Sequence, residues 1–72
     1  MTTTLAPITY DHLAPYLKYR VYGPDFSPLI AEDAADVEKA IQHDEPRKAM
    51  YFYNKLRLHA GELTLAEYQE IQ

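Results

Sequence analysis

The chain has 72 residues, no cysteine, two glycines, seven tyrosines and a formal net charge of −4. That length allows one small domain, which buries only about 60% of the surface its unfolded chain exposes and sits near the margin of stability. The missing cysteines exclude disulfide staples and thiolate metal sites, and the acidic balance argues against a chain built mainly to hold nucleic acid.

In chain order, Met1-Thr2-Thr3-Thr4 has no basic stretch and leads into no long apolar run, so no secretory leader is expected. Residues 1–7 read as a flexible polar arm. Thr9 is placed to cap a short helical turn through Leu13. Pro15 should limit that turn, because the residue before a proline is pushed out of the helical region. Tyr16–Tyr22 mixes aromatic and branched residues with alternating bases, which predicts a short extended strand. Gly23-Pro24-Asp25 reads as a turn.

Ser27-Pro28 is an N-cap followed by a proline at the first helical position. Ile30, Ala34, Val37 and Ile41 follow at spacings of 4, 3 and 4, one face of a helix. Glu32, Asp33, Asp36 and Glu38 lie largely off that face, and the helix is placed at 28–43. Asp44 is the expected N-cap of the next helix, 45–60, whose apolar stripe is Ala49, Phe52, Tyr53, Leu56 and Ala60. Arg47, Lys48, Tyr51 and Lys55 share its opposite side. Gly61 should end it in the left-handed conformation. Thr64 and Glu67 have the spacing of a capping box, and Leu63 and Tyr68 that of a hydrophobic staple. They open a last helix, 64–72. The chain is therefore expected to be one small, mainly α domain of three helices, with an extended or turn-rich N-terminal arm. Its longest apolar runs are a few residues, against the ~20 needed to span a bilayer. No membrane association is expected, and the cysteine-free composition suits a reducing cytoplasm.

Charge is segregated. Residues 25–45 carry Asp25, Glu32, Asp33, Asp36, Glu38, Asp44 and Glu45 against Lys39, a net −6. Residues 46–61 carry Arg47, Lys48, Lys55 and Arg57, a net +4. Residues 62–72 carry Glu62, Glu67 and Glu70, a net −3. An acidic helix beside a basic one suggests complementarity within the chain, although exposed pairs contribute only ~0–1 kcal/mol each.

Little points to chemistry. His12, His43 and His59 fall on three different elements, with no i, i+4 pair of the kind that holds a metal. His43-Asp44-Glu45 are neighbours in sequence, and adjacent helical residues do not face each other. His59, in a last helical turn, suits the free carbonyls there. Ser27 is the sole serine, and its capping position accounts for it. Two glycines cannot form a phosphate loop. No cofactor, metal site or enzymatic activity is expected.

Tyrosine combines apolar area with a polar tip and is favoured at interfaces. Tyr19, Tyr22 and Tyr51 sit off the clear core stripes or beside bases, which makes them contact candidates. Arg47, Lys48, Tyr51 and Lys55 together could also hold nucleic acid, by charge and stacking. Glu32, Asp33, Asp36 and Glu38 could imitate nucleic-acid phosphates and block a host enzyme or defence complex.

The segment Gly61-x-Leu63-Thr64-x-x-Glu67-Tyr68, preceded by Lys55-Leu56-x-Leu58, resembles the short C-terminal oligomerisation domain known as SHOCT. That resemblance, over about 20 residues, implies self-association with Leu56, Leu63 and Tyr68 in the contact. Ile71, on the same helix, is a further candidate for the oligomer contact. The family continues into a lysine-bearing, leucine-rich helix that has no counterpart in these residues. Ile8-Thr9-x-x-x-Leu13-Ala14-Pro15-Tyr16-Leu17-x-Tyr19 is similar to the opening of small uncharacterised prophage proteins of Bacteroidetes. Those read Leu-Pro-Tyr-Gly-Leu where this chain has Leu17-Lys18-Tyr19-Arg20-Val21. That similarity implies a phage origin and no particular activity. The sequence thus favours a non-enzymatic interaction module whose partner is another copy of itself.

Overall fold

Residues 8–71 are described by the computed structural model, except for the side chain of Ile71. The flexible arm expected over 1–7, and Gln72, lie outside the described residues. A 3-10 helix, Tyr10–Tyr16, runs directly into a single α-helical turn, α1 (Leu17–Arg20). Three longer helices follow: α2 (Pro28–Gln42), α3 (Pro46–His59) and α4 (Leu65–Ile71).

The strand expected over 16–22 is not formed. Leu13 and Tyr16 are buried and Tyr19 is half-buried against the same core. That spacing of three matches the 3.0 residues per turn of a 3-10 helix, not the two of a strand. Pro15 does not stop the turn either. Its fixed φ falls in the 3-10 range, and the Leu17 amide closes onto the Ala14 carbonyl beyond it. At the start, the Thr9 amide donates to Nδ1 of His12 at 3.0 Å. The imidazole thus takes the part that glutamate plays in an ordinary capping box.

Two helix ends of one kind shape the rest. At the end of α2, the Asp44 amide bonds to the Ile41 carbonyl and the Glu45 amide to the Ala40 carbonyl, at 3.1 and 2.8 Å. At the end of α3, Gly61 bonds to Leu58 and Glu62 to Arg57, at 3.1 and 2.9 Å. Both are Schellman motifs, which need a residue at positive φ one place past the cap. Gly61 supplies it at 81°, as its position predicts, and Asp44 at 54°. Asp44 therefore closes α2 and does not cap α3. Aspartate tolerates the left-handed region better than most residues. Glu45 is left as the N-cap of α3, without a side-chain cap.

The corner is so short that α2 and α3 fold back on each other and supply most of the core. Ile30, Ala34, Val37 and Ala40 are buried with Ala49 and Leu56. Ile41, Phe52, Tyr53 and Ala60 pack half-buried around them. The 3-10 helix and α1 lie against α2, adding Ile8, Leu13 and Tyr16. The Ser27 hydroxyl accepts from the Ile30 amide at 3.4 Å and starts α2 as expected. The Thr64–Glu67 capping box is formed in both directions, at 2.9 and 3.1 Å. Leu63 and Tyr68 are the half-buried positions of that segment, as a staple requires. Among the described residues, no helix is long and apolar enough to cross a membrane.

No atom lies within 4 Å of a Cβ built on Gly61, so only backbone strain opposes a side chain there. Gly61→Ala should cost about 1 kcal/mol in chemical denaturation, and Gly61→Asn clearly less, because asparagine visits the left-handed region more readily.

Tyr16 joins the arm to the second corner, its hydroxyl donating to Glu62 at 2.7 Å. Burial, and then that hydrogen bond, raise its ionisation well above the ordinary phenol range. The folded state therefore favours the protonated phenol. This stabilisation is complete below about pH 10 and is lost as pH rises towards the folded value. Tyr16→Phe should lose about 1 kcal/mol at neutral pH. It should also fall less steeply in stability above about pH 10 than the parent, as read by urea titrations across the alkaline range.

Candidate interaction surface

The packing of α2 and α3 decides which charges reach solvent. Residues two apart on a helix point about 200° apart, so Asp36 and Glu38 leave α2 on opposite sides. On the Glu38 side the arm covers the hairpin. Arg20 grips Glu38 through both terminal nitrogens, at 3.3 and 2.5 Å. Tyr16 and His12 meet Tyr53 edge-on, with ring centroids 6.3 and 5.6 Å from it.

The Asp36 side is open. A groove of about 490 Å³ runs between Asp36, Lys39 and Ala40 of α2 and Arg47, Lys48, Tyr51 and Phe52 of α3, with Glu45 at the corner. Lys48 pairs with Glu45 at 2.9 Å, and its hydrogen bond holds that carboxyl below the usual range. The groove combines an alanine and aromatic lining with charges of both signs. Four of the expected contact residues meet here: Asp36, Arg47, Lys48 and Tyr51.

At the far side of Tyr51 lies α4, whose backbone packs along α3. Tyr68 faces inward. Burial, and then the neighbouring Tyr51 hydroxyl, raise its ionisation. Leu65 stays 60% exposed, and Ala66, Gln69 and Glu70 are exposed as well. The terminal helix thus forms a ridge beside the groove, with Tyr51 between them.

The other expected contact residues are elsewhere. Leu56 is wholly buried in its own core. It cannot serve an intermolecular contact, because the α3 stripe that carries it faces α2. Asp33, expected off the apolar face with the other acids, is buried at 3% exposure and bonds to His59 Nδ1 at 2.5 Å. That pairing also replaces the helix-end carbonyls expected for His59. Glu38 is held by Arg20, and Glu32 alone of the four acids stands fully out. Tyr19 packs half-buried against the core, whereas Tyr22 is 92% exposed and stacks on Phe26 with centroids 4.6 Å apart. Lys55 is half-buried outside the groove lining. The contact expected of Ile71 falls on a side chain outside those described.

Lys39, Ala40 and Phe52 were given no contact role from the sequence, and Phe52, expected in the core stripe opposite Lys48 and Tyr51, lines the groove beside them. The signal was present: Asp36, Lys39 and Ala40, and Lys48, Tyr51 and Phe52, each have the i, i+3, i+4 spacing of one helix face. Nothing local could pair Asp33 with His59, 26 positions apart. Among the described residues, no three His, Asp or Glu side chains converge as a metal site would require. No protein-family model, curated protein or solved structure matches the chain.

The Asp33 carboxylate depends on His59. His59→Leu should destabilise the fold by about 2 kcal/mol, below the usual cost of breaking a buried pair, because the imidazole is partly solvated. Adding Asp33→Leu should recover most of that loss, since two apolar groups need no partner. Parallel urea titrations of the parent and the two variants would measure both effects.

Proposed function

We propose that the protein works by contact and not by chemistry, as a small interaction module that associates with copies of itself. The observation that carries this reading is the open α2–α3 groove with the exposed α4 ridge beside it. A chain with so little buried apolar area gains from covering such a surface. Tyr51 lies in the groove, and Leu65 is exposed on the ridge. The resemblance of the last hairpin to the SHOCT oligomerisation domain supports the same reading, with Leu63 and Tyr68 retained and Leu56 removed from the contact. The likeness of residues 8–21 to prophage proteins supports a phage origin.

The two nucleic-acid readings gain less. An acidic helix imitating phosphates needs its carboxylates in one outward row, and Asp33, Glu38 and Asp36 point to the core, to Arg20 and to the groove. A phosphate approaching Arg47 and Lys48 would meet Asp36 and Glu45 in the same groove, where like charge opposes it.

Light scattering on a size-exclusion column, across a concentration series, tests the proposal. Twice the monomer mass at tens of micromolar is expected, on the order of the micromolar association common for small exposed surfaces. A monomer at every concentration up to about 1 mM, the weak limit of useful affinity, would refute self-association.

A further inference from the structure

Two surfaces are left without a role by the fold. The segment 17–29 exposes Leu17, Val21, Tyr22 and Leu29, with no feature that selects what covers them. The Asp33–His59 pair is explained by its structural role. The groove and the α4 ridge differ, because they lie side by side on one face and are unlike in charge.

We propose that the groove of one copy receives α4 of a second copy, in a two-fold arrangement where each ridge enters the other's groove. The proposal rests on the self-association reading and names its contact. A two-fold interface uses one patch on both partners, so the patch must be complementary to itself. A ridge and a groove joined at Tyr51 meet that condition. The charge agrees: residues 62–71 carry Glu62, Glu67 and Glu70 and no base, and the groove, with Lys39, Arg47 and Lys48 against Asp36 and Glu45, keeps one base in excess, Arg47 among those not paired with Glu45. Glu67 is committed to its cap, held by the Thr64 amide. Glu70 is the carboxylate left for the partner, and it lies about 140° round α4 from Leu65, with exposed Gln69 and Ala66 on the arc between them. Leu65 supplies the apolar group for the groove lining at Ala40 and Phe52.

Charge exchange decides the matter. Glu70→Lys and Arg47→Glu, each on an exposed side chain, should each weaken the dimer about tenfold in low salt. Combined in one chain they should restore it to within about threefold of the parent, because the pair is then reversed and not broken. Circular dichroism confirms that each variant folds. A second measurement is independent of charge. The cysteine-free chain accepts a single spin label at Gln69→Cys, and labelled copies are mixed with isotope-labelled, label-free copies. Broadening of the Lys39 and Tyr51 amides is the expected result. A dimer that ignores all three charge variants, or shows no broadening at those amides, overturns this contact and leaves self-association standing. A strict monomer refutes both.

Discussion

The rest of the structure depends on the close packing of α2 on α3 through small residues. Ala34, Ala40 and Ala49 are among the most buried positions of the protein, and the largest side chains fully enclosed are Leu56 and Val37. Alanine lets two helices approach closely, but it supplies little area. Full burial of a leucine contributes about 2 kcal/mol, and an alanine far less. A hairpin built this way has a thin core and cannot cover both of its own faces. The 3-10 arm covers one, using the aromatic area of Tyr16 and Tyr19. The other keeps a groove, because the short α4 packs its backbone along α3 and leaves the Asp36 side of α2 uncovered among the described residues.

Charge follows from the same constraint. A small hairpin has few wholly interior positions, yet Asp33 occupies one of them. Its carboxylate is tolerable there because His59 reaches across from α3. The expected complementarity between an acidic and a basic helix is realised differently from its segment charges. Arg20 of the arm takes Glu38, Lys48 takes its neighbour Glu45, and Arg57 takes Glu62 beyond its own helix. Among the described residues, the one charged contact from α2 to α3 is the buried one. The bases Arg47 and Lys39 are consequently left at the groove, where the charge map alone did not place them.

What the sequence made legible was local. Ser27-Pro28, Gly61 and Thr64-x-x-Glu67 act through atoms within a few positions of themselves, so their roles could be read directly. The helices they bound were found to within a residue or two. Errors arose where a residue has two local options and tertiary packing chooses. Asp44 can cap a helix or close one, and the Schellman geometry of α2 selects closure. Tyr16–Tyr22 can alternate as a strand or wind with a period of three, and the hairpin face selects the period that buries Tyr16 and Tyr19. The groove was half legible. Arg47, Lys48 and Tyr51 were singled out as basic and aromatic, and Asp36 for its charge. That they share one groove follows only from the folding back of α2 on α3.

Those local motifs also bear on how the surface could work. The Thr64–Glu67 box and the Gly61 turn hold α4 in helical form at fixed angles, without help from deep packing. An isolated helix of seven residues would be marginal in water, and α4 has only one side of α3 to rest on. Strong capping compensates in part, satisfying backbone groups that the short helix would otherwise leave free. Preorganisation of this kind lowers the entropy cost of association, since the exposed arc of α4 from Leu65 to Glu70 already has its helical form. The exposure of α4 and the strength of its caps are therefore two halves of one arrangement. A helix that packed deeply would need no such caps, and one without them could not keep a rigid face in solvent.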